Sequence, residues 1–218
     1  MKRSFLFLFL FAIIFVSSTS LTQAQSHEWH QYNRGDRNTQ TLLNRSTSYG
    51  GFGSWMYGAT DINGQTAYLT GRKFMFVMNV RPQHTLNIGF STYRTQSDFD
   101  VVNWDSNLPV TAPQLETEYS GFELEYVNRS RRLVHFGGQL LVGSGEVQYT
   151  NSNILLEKRK DSYFVMQPGL NLHLNVTTWL RLNAGVYYRF ASNVNLEGTS
   201  DRDLSGFSAV AGFRIGAF

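Results

Sequence analysis

Apolar and polar residues alternate with a period of two along most of the chain beyond residue 50. The pattern is cleanest from Trp179 to Ala191. There Leu180, Leu182, Ala184, Val186, Tyr188 and Phe190 share one parity, while Arg181, Asn183, Gly185, Tyr187 and Arg189 share the other. Successive side chains on a strand point to opposite faces, so this stretch predicts a β-strand with one apolar face and one polar, charged face. A helix would scatter the same residues around its circumference. In a soluble sheet the apolar face would meet a protein core. In a membrane barrel it would meet lipid and turn the arginines inward.

Seven further stretches predict strands. Gly50 to Asp61 is the first and Ala67 to Val80 the second, with Asn63-Gly64 between them supplying the residues of a tight type I′ hairpin turn. The facing of these two stays open, because glycines blur the first and the Arg72-Lys73 pair puts a cation on each face of the second unless a bulge intervenes. Thr85 to Tyr93 sets Leu86, Ile88 and Phe90 against Asn87, Gly89, Ser91 and Tyr93. Tyr119 to Val127 sets Phe122, Leu124 and Tyr126 against Gly121, Glu123 and Glu125. Leu133 to Val147 and Ser162 to Val176 follow the same rule, with Pro168 on the apolar parity of the latter at the loss of one ladder hydrogen bond. The last strand, Leu204 to Phe218, sets Phe207, Ala209, Ala211, Phe213 and Ile215 against Gly206, Ser208, Gly212 and Arg214.

The connections differ in length in an ordered way. Those near 81–84, 128–132 and 177–178 are short; those at 95–117, 149–161 and 192–203 are long and polar. An even strand count puts all the short ones at one end and all the long ones, with the Asn63-Gly64 turn, at the other. Outer-membrane barrels show this asymmetry, and their strands need roughly 9–11 residues to cross at a tilt. Tyr119, Tyr163, Tyr188 and Trp179 lie near strand ends, where an aromatic girdle is expected.

Composition sharpens the choice. Only 16% of residues are charged, against roughly 25% in a typical soluble domain, and 15% are aromatic. The non-apolar parity is mostly glycine, asparagine, glutamine and arginine, which suits a narrow hydrogen-bonded lumen better than a water-facing surface. A lone charge there is costly to desolvate, so the expected interior ion-pair residues are Glu123, Glu125, Arg181, Arg189 and Arg214. The net charge of +3 is spread along the chain rather than clustered, which argues against nucleic acid as a partner.

Met1-Lys2-Arg3, the apolar run Phe5 to Val16 and the small residues up to Ala24 read as a signal peptide over 1–24, implying export through the general secretory pathway. Residues 25–49 read as a flexible periplasmic leader and 50–218 as the barrel. No cysteine is present, which removes disulfides, a lipid-attachment thiol and a thiol nucleophile.

At the level of pattern, residues 50–218 resemble the small eight-stranded outer-membrane barrels of Gram-negative bacteria, the OmpX and OmpA-barrel type. The sharpest item is the last strand, LSGFSAVAGFRIGAF, which ends on an aromatic as the assembly signal of such barrels does. Phe218 departs from that signal by sharing parity with Gly216 and Arg214. The resemblance implies an all-β, antiparallel, up-and-down transmembrane barrel of about eight strands, preceded by a signal peptide. It also implies a cell outer-membrane location, lipid and lipopolysaccharide as surroundings, and contact with the barrel assembly machinery through the C-terminal strand. A monomer without a cofactor is expected.

The resemblance also raises one enzymatic possibility, a barrel that removes or transfers acyl chains on lipid A. Such a deacylase needs a serine activated by a histidine. His135 and His173 fall on the inward parity, away from lipid, with no serine close behind in register. Glu123 and Glu125 could serve acid–base work, but ion pairing with arginine is the plainer account. Lys158-Arg159-Lys160 could meet lipopolysaccharide phosphates and is more simply a solvated charge run. His27 and His30 form too small a set for zinc. Asp98, Asp100 and Asp105 lack the spacing of a calcium loop. Arg34-Gly35-Asp36 is too short a motif to carry weight. The sequence therefore reads as a non-enzymatic integral outer-membrane barrel with a plugged interior. Its extracellular loops would serve surface interaction, envelope integrity or limited small-solute passage. The alternatives are a soluble periplasmic, lipocalin-like barrel holding a hydrophobic ligand and, behind it, the lipid A-modifying enzyme.

Overall fold

The structure, a computed structural model, describes residues 47–81, 83–100, 114–150, 160–196 and 198–218. The predicted signal peptide and nearly all of the predicted leader lie outside the described residues. Eight strands close into one barrel: β1 (Ser48–Ile62), β2 (Gln65–Arg81), β3 (His84–Asp100), β4 (Gln114–Asn128), β5 (Val134–Thr150), β6 (Lys160–Asn175), β7 (Leu180–Ser192) and β8 (Gly206–Ala217). Each strand runs antiparallel to the next, and β8 pairs back onto β1. Full closure leaves no unpaired edge.

The turn at Asn63-Gly64 forms as expected, with φ of 52° and 73°. Both residues sit in the left-handed region that a type I′ hairpin requires and that asparagine and glycine tolerate best. The connections after β2, β4 and β6 lie at one end of the barrel; those after β1, β3, β5 and β7 lie at the other. β3 and β4 run further toward the long-connection end than the alternation indicates. Residues 95–100 and 114–117 carry one apolar residue each, Phe99 and Leu115, too few to show an alternation, yet the ladder continues through Thr95 and Thr117. The connection at 192–203 is not wholly irregular, for a short helix, α1 (Asp201–Leu204), closes it with Leu204 buried.

Facing follows parity. Phe122 and Leu170 on the outer wall are 75% and 73% exposed, and Leu182 on β7 is 44% exposed. Lys73, Glu123, Glu125, Arg189 and Arg214 point inward and are buried. The two ambiguous strands resolve cleanly. On β1, Phe52, Ser54, Met56, Thr60 and Ile62 face the lumen, while Trp55 and Tyr57 face out. On β2 no bulge occurs at the cation pair, since the only register shift there falls between Asn79 and Arg81. Lys73 therefore points in and Arg72 out.

The girdle expectation is corrected at two positions. Tyr119 and Tyr163 are buried in the lumen, because they share parity with Gly121 and Val165 rather than with the outward leucines and phenylalanines. Tyr188 and Trp179 do lie on the outer wall or its rim. Pro168 interrupts the β6–β7 ladder, which passes from the Met166–Phe190 pair to the Gly169–Tyr187 pair.

Large side chains crowd the lumen, and glycines make room for them. The Tyr187 ring lies against Gly169 and Gly185, so that a methyl group at Gly169 would overlap it. Gly169→Ala is expected to destabilise the barrel by about 1–3 kcal/mol through overpacking. The urea midpoint of the protein refolded into lipid vesicles measures the loss. Gly138→Ala is the control: nothing lies within 4 Å of the added methyl, and the midpoint should stay within error of wild type.

Candidate functional site

The chemistry-bearing residues converge in the lumen, in three layers along the barrel axis. At the short-turn end, Phe52, Met75 and Val77 form a small apolar cluster on which Phe218 packs. The Arg181 guanidinium lies over the Phe218 ring at 3.9 Å. The terminal aromatic thus faces the lumen, which accounts for its sharing parity with Arg214.

Above that layer sits a connected ion-pair network. Glu125 accepts two hydrogen bonds from the Arg214 guanidinium, Nη1 to Oε2 at 2.8 Å and Nη2 to Oε1 at 2.9 Å. Asn87 and Asn171 each donate a further bond to the same carboxylate at 2.8 Å. His173 Nε2 lies 3.4 Å from Glu125 Oε1, and its ring packs against that of His135 with centroids 5.1 Å apart. Glu123 accepts from Lys73 Nζ at 2.5 Å and from Ser91 Oγ at 2.7 Å. Gln139 links the two acids, since its Oε1 accepts from Lys73 Nζ at 2.7 Å and from Asn171 Nδ2 at 2.8 Å. Both carboxylates thereby gain a cation and neutral donors, the condition under which a buried charge is tolerated.

The third layer is aromatic and aliphatic. Tyr93 stacks on Tyr119 with centroids 5.1 Å apart, and Tyr187 meets Tyr93 edge-on at 6.3 Å. Lys73 Nζ lies 5.3 Å from the Tyr187 ring centroid, so that this layer covers the cation from above. Met56, Leu69, Leu141 and Val165 complete the plug. Leu196 and Leu204 from the β7–β8 connection pack into the same cluster. Arg189 fastens that connection by donating Nε to the Leu204 carbonyl at 2.5 Å and Nη2 to the Asp61 carbonyl at 3.2 Å.

Of the five residues expected to form interior ion pairs, the structure brings Glu125 and Arg214 together. Glu123 takes Lys73 instead of an arginine. Arg181 and Arg189 lie in or beside the lumen but hold an aromatic ring and backbone carbonyls, respectively. Lys73 could not be assigned to the lumen from the sequence, because both parities of β2 are apolar around it, with Phe74 and Phe76 on one and Met75 and Val77 on the other. Lys160 pairs with Glu146 at 2.6 Å on an exposed surface. Lys158, Arg159, Asp105, His27, His30 and Arg34–Asp36 lie outside the described residues, as do the side chains of Asp98 and Asp100.

The arrangement is suited to filling and stiffening a lumen. Removing one partner leaves a buried charge uncompensated. Arg214→Leu is expected to cost about 3–5 kcal/mol of stability, and the double variant Arg214→Leu, Glu125→Leu to recover most of that loss. Equilibrium unfolding of the three proteins in the same detergent reads both values.

No protein-family model matches the chain, and no curated protein matches it. Solved structures do. The attachment invasion locus protein Ail of Yersinia pestis, crystallised with the heparin analogue sucrose octasulfate, is 13% identical with a TM-score of 0.50, over 77% of this chain and 97% of Ail. Neisserial surface protein A is 13% identical with a TM-score of 0.48, over 78% of this chain and 97% of its own. The N-terminal barrel domain of Pseudomonas aeruginosa OprF is 11% identical with a TM-score of 0.43, over 77% and 96%. Eight antiparallel strands closed on themselves, with buried ion pairs within and an apolar wall without, together with the likeness to Ail, give this chain the fold of the small eight-stranded outer-membrane β-barrels.

Proposed function

We propose that the chain is an integral outer-membrane barrel, exported by the general secretory route, that is not an enzyme and acts through the loops at its long-connection end. One observation carries this reading: the apolar parity points outward all round the wall while the ion pairs lie inside. On β6 alone Phe164, Met166, Leu170, Leu172 and Leu174 are exposed side by side. A wall of that character in water would be an aggregation liability, whereas hydrocarbon is its natural solvent. The same observation counts against a lipocalin-like barrel, which needs its apolar face within.

A lumen filled by Tyr93, Tyr119, Tyr187 and the Lys73–Glu123 pair favours surface interaction or envelope integrity over solute passage. His135 and His173 are buried inside the barrel, out of reach of a lipid acyl chain, which speaks against lipid A chemistry. The mass spectrum of lipid A from cells with and without the protein should accordingly show the same acyl pattern. Membership of a monomer and insertion by the barrel assembly machinery through β8 are part of the same proposal.

Cell fractionation tests the central claim. The protein should remain with the membrane after carbonate washing and show heat-modifiable gel mobility; release into the wash would refute it. Leu182→Arg, on the outward face of β7, should cost up to about 2–4 kcal/mol in folding into vesicles. A soluble barrel would show a far smaller loss at so exposed a position.

A further inference from the structure

Inward residues in register form rungs across the lumen. Near the short-turn end one rung joins His135 on β5, His173 on β6 and Asn183 on β7. One step nearer the mouth, the next joins Asn175, Arg181 and Arg214 from β6 to β8. Arg181 is half-buried, so solvent reaches these rungs from the short-turn mouth.

Charge and hydrogen bonding are both out of balance here. Two guanidinium groups share one acid, Glu125, whose oxygens are already taken by Arg214, Asn87 and Asn171. Arg181 feels the charges of Arg214 and Glu125, yet it makes no hydrogen bond or ion pair among the described residues and rests on the Phe218 ring. Asn183 is 4% exposed, with neither its Oδ1 nor its Nδ2 partnered. The Nε atoms of Arg181 and Arg214, His135 Nε2 and His173 Nδ1 are likewise buried without a partner. So many unsatisfied polar atoms in one place are costly unless a ligand meets them.

The unpaired atoms are of both kinds. Arg181 Nε, Arg214 Nε and Asn183 Nδ2 can only donate, and Asn183 Oδ1 can only accept. His135 donates Nδ1–H to the Arg132 carbonyl at 3.1 Å, which leaves Nε2 a lone pair in the neutral ring. His173 turns Nε2 toward Glu125 at 3.4 Å, which gives its Nδ1 the same character. A ligand suited to this set carries negative charge for the guanidinium groups and presents both bare oxygens and a hydroxyl. Phosphate does so at neutral pH. Sulfate and a phosphodiester, such as a lipid headgroup carries, have no such proton to give. A metal cation is opposed by both guanidinium charges.

We propose that the short-turn mouth of the lumen binds one inorganic phosphate ion, with bare oxygens on Arg181 and Asn183 Nδ2 and a protonated oxygen donating to a histidine nitrogen. Every residue of the site faces the lumen, so the site does not depend on what surrounds the outer wall.

Equilibrium dialysis of the full chain, refolded in a maltoside detergent, against radiolabelled phosphate at constant ionic strength tests it. One phosphate should bind per chain, and sulfate and dimethyl phosphate should compete at least about tenfold more weakly, the weight of one hydrogen bond to a charged group. Arg181→Gln should weaken phosphate binding at least about tenfold by the same measure. Asn183→Ala should weaken it about three- to tenfold. Because that change also removes two unsatisfied groups, it should not lower the urea midpoint in phosphate-free buffer. Arg72→Gln, on the outer wall, should bind as the wild type does. A circular dichroism spectrum of β-sheet type checks that each variant has folded; if Arg181→Gln does not fold, Asn183→Ala decides. The absence of saturable binding, equal competition by sulfate or dimethyl phosphate, or unchanged affinity in the folded variants would each overturn the proposal. So would a lowered midpoint with unchanged affinity in Asn183→Ala, which would make that residue a matter of packing alone.

Discussion

Closing eight strands into a ring pairs the backbone hydrogen-bonding groups of the wall with one another, apart from local breaks such as that at Pro168, and leaves each side chain one of two directions. All else in this molecule follows from that binary choice. With most of the leucines and phenylalanines outside, Lys73, Glu123, Glu125 and Arg214 on the other parity have only the lumen, and the lumen must neutralise them. The bidentate Arg214–Glu125 contact and the Lys73–Glu123 contact meet that demand, with Asn87, Asn171 and Ser91 donating to the carboxylates and Gln139 Oε1 accepting from Lys73.

The lumen is organised by chemistry along its axis. A charged network in the middle has a tyrosine layer on one side and the Phe52–Met75–Val77–Phe218 cluster on the other. Both flanking layers keep water from the ion pairs, which strengthens them electrostatically and raises the penalty for leaving one member alone. Glycines on the inward parity are part of the same design. Gly145, Gly169 and Gly185 stand where the rings of Tyr163 and Tyr187 lie against the wall, so that the wall itself supplies the volume the rings occupy.

The two ends of the barrel differ in the same physical terms. At the short-turn end, the chain reverses with few residues and the apolar wall continues close to the rim. At the long-connection end, the strands outrun the apolar belt, and on β2 to β5 the outer wall turns polar within one rung of the phenylalanines. The stretch that joins β7 to β8 is drawn inward there, held by Leu196, Leu204 and the carbonyl bonds of Arg189. That packing makes the connection part of the plug rather than a free loop.

Strand number, antiparallel order, the sorting of short and long connections and the facing of six strands were legible in the sequence alone. Each is a local property: an alternation such as Leu180 to Phe190 repeats every two residues, and a turn such as Asn63-Gly64 needs particular backbone angles. The partner of each charge was not legible. Lys73 and Glu123 are fifty residues apart, and Arg214 and Glu125 eighty-nine. Which cation meets which acid depends on the register between strands and on the angle at which the sheet closes. The inward placement of Tyr119 and Tyr163 was available from parity but was masked by their position near strand ends. The cluster of His135, His173, Arg181 and Asn183 needed the three-dimensional lumen, because its residues come from β5, β6 and β7 and become neighbours only through the register of those strands. Periodicity determines which face a side chain takes; only closure of the barrel decides what it meets there.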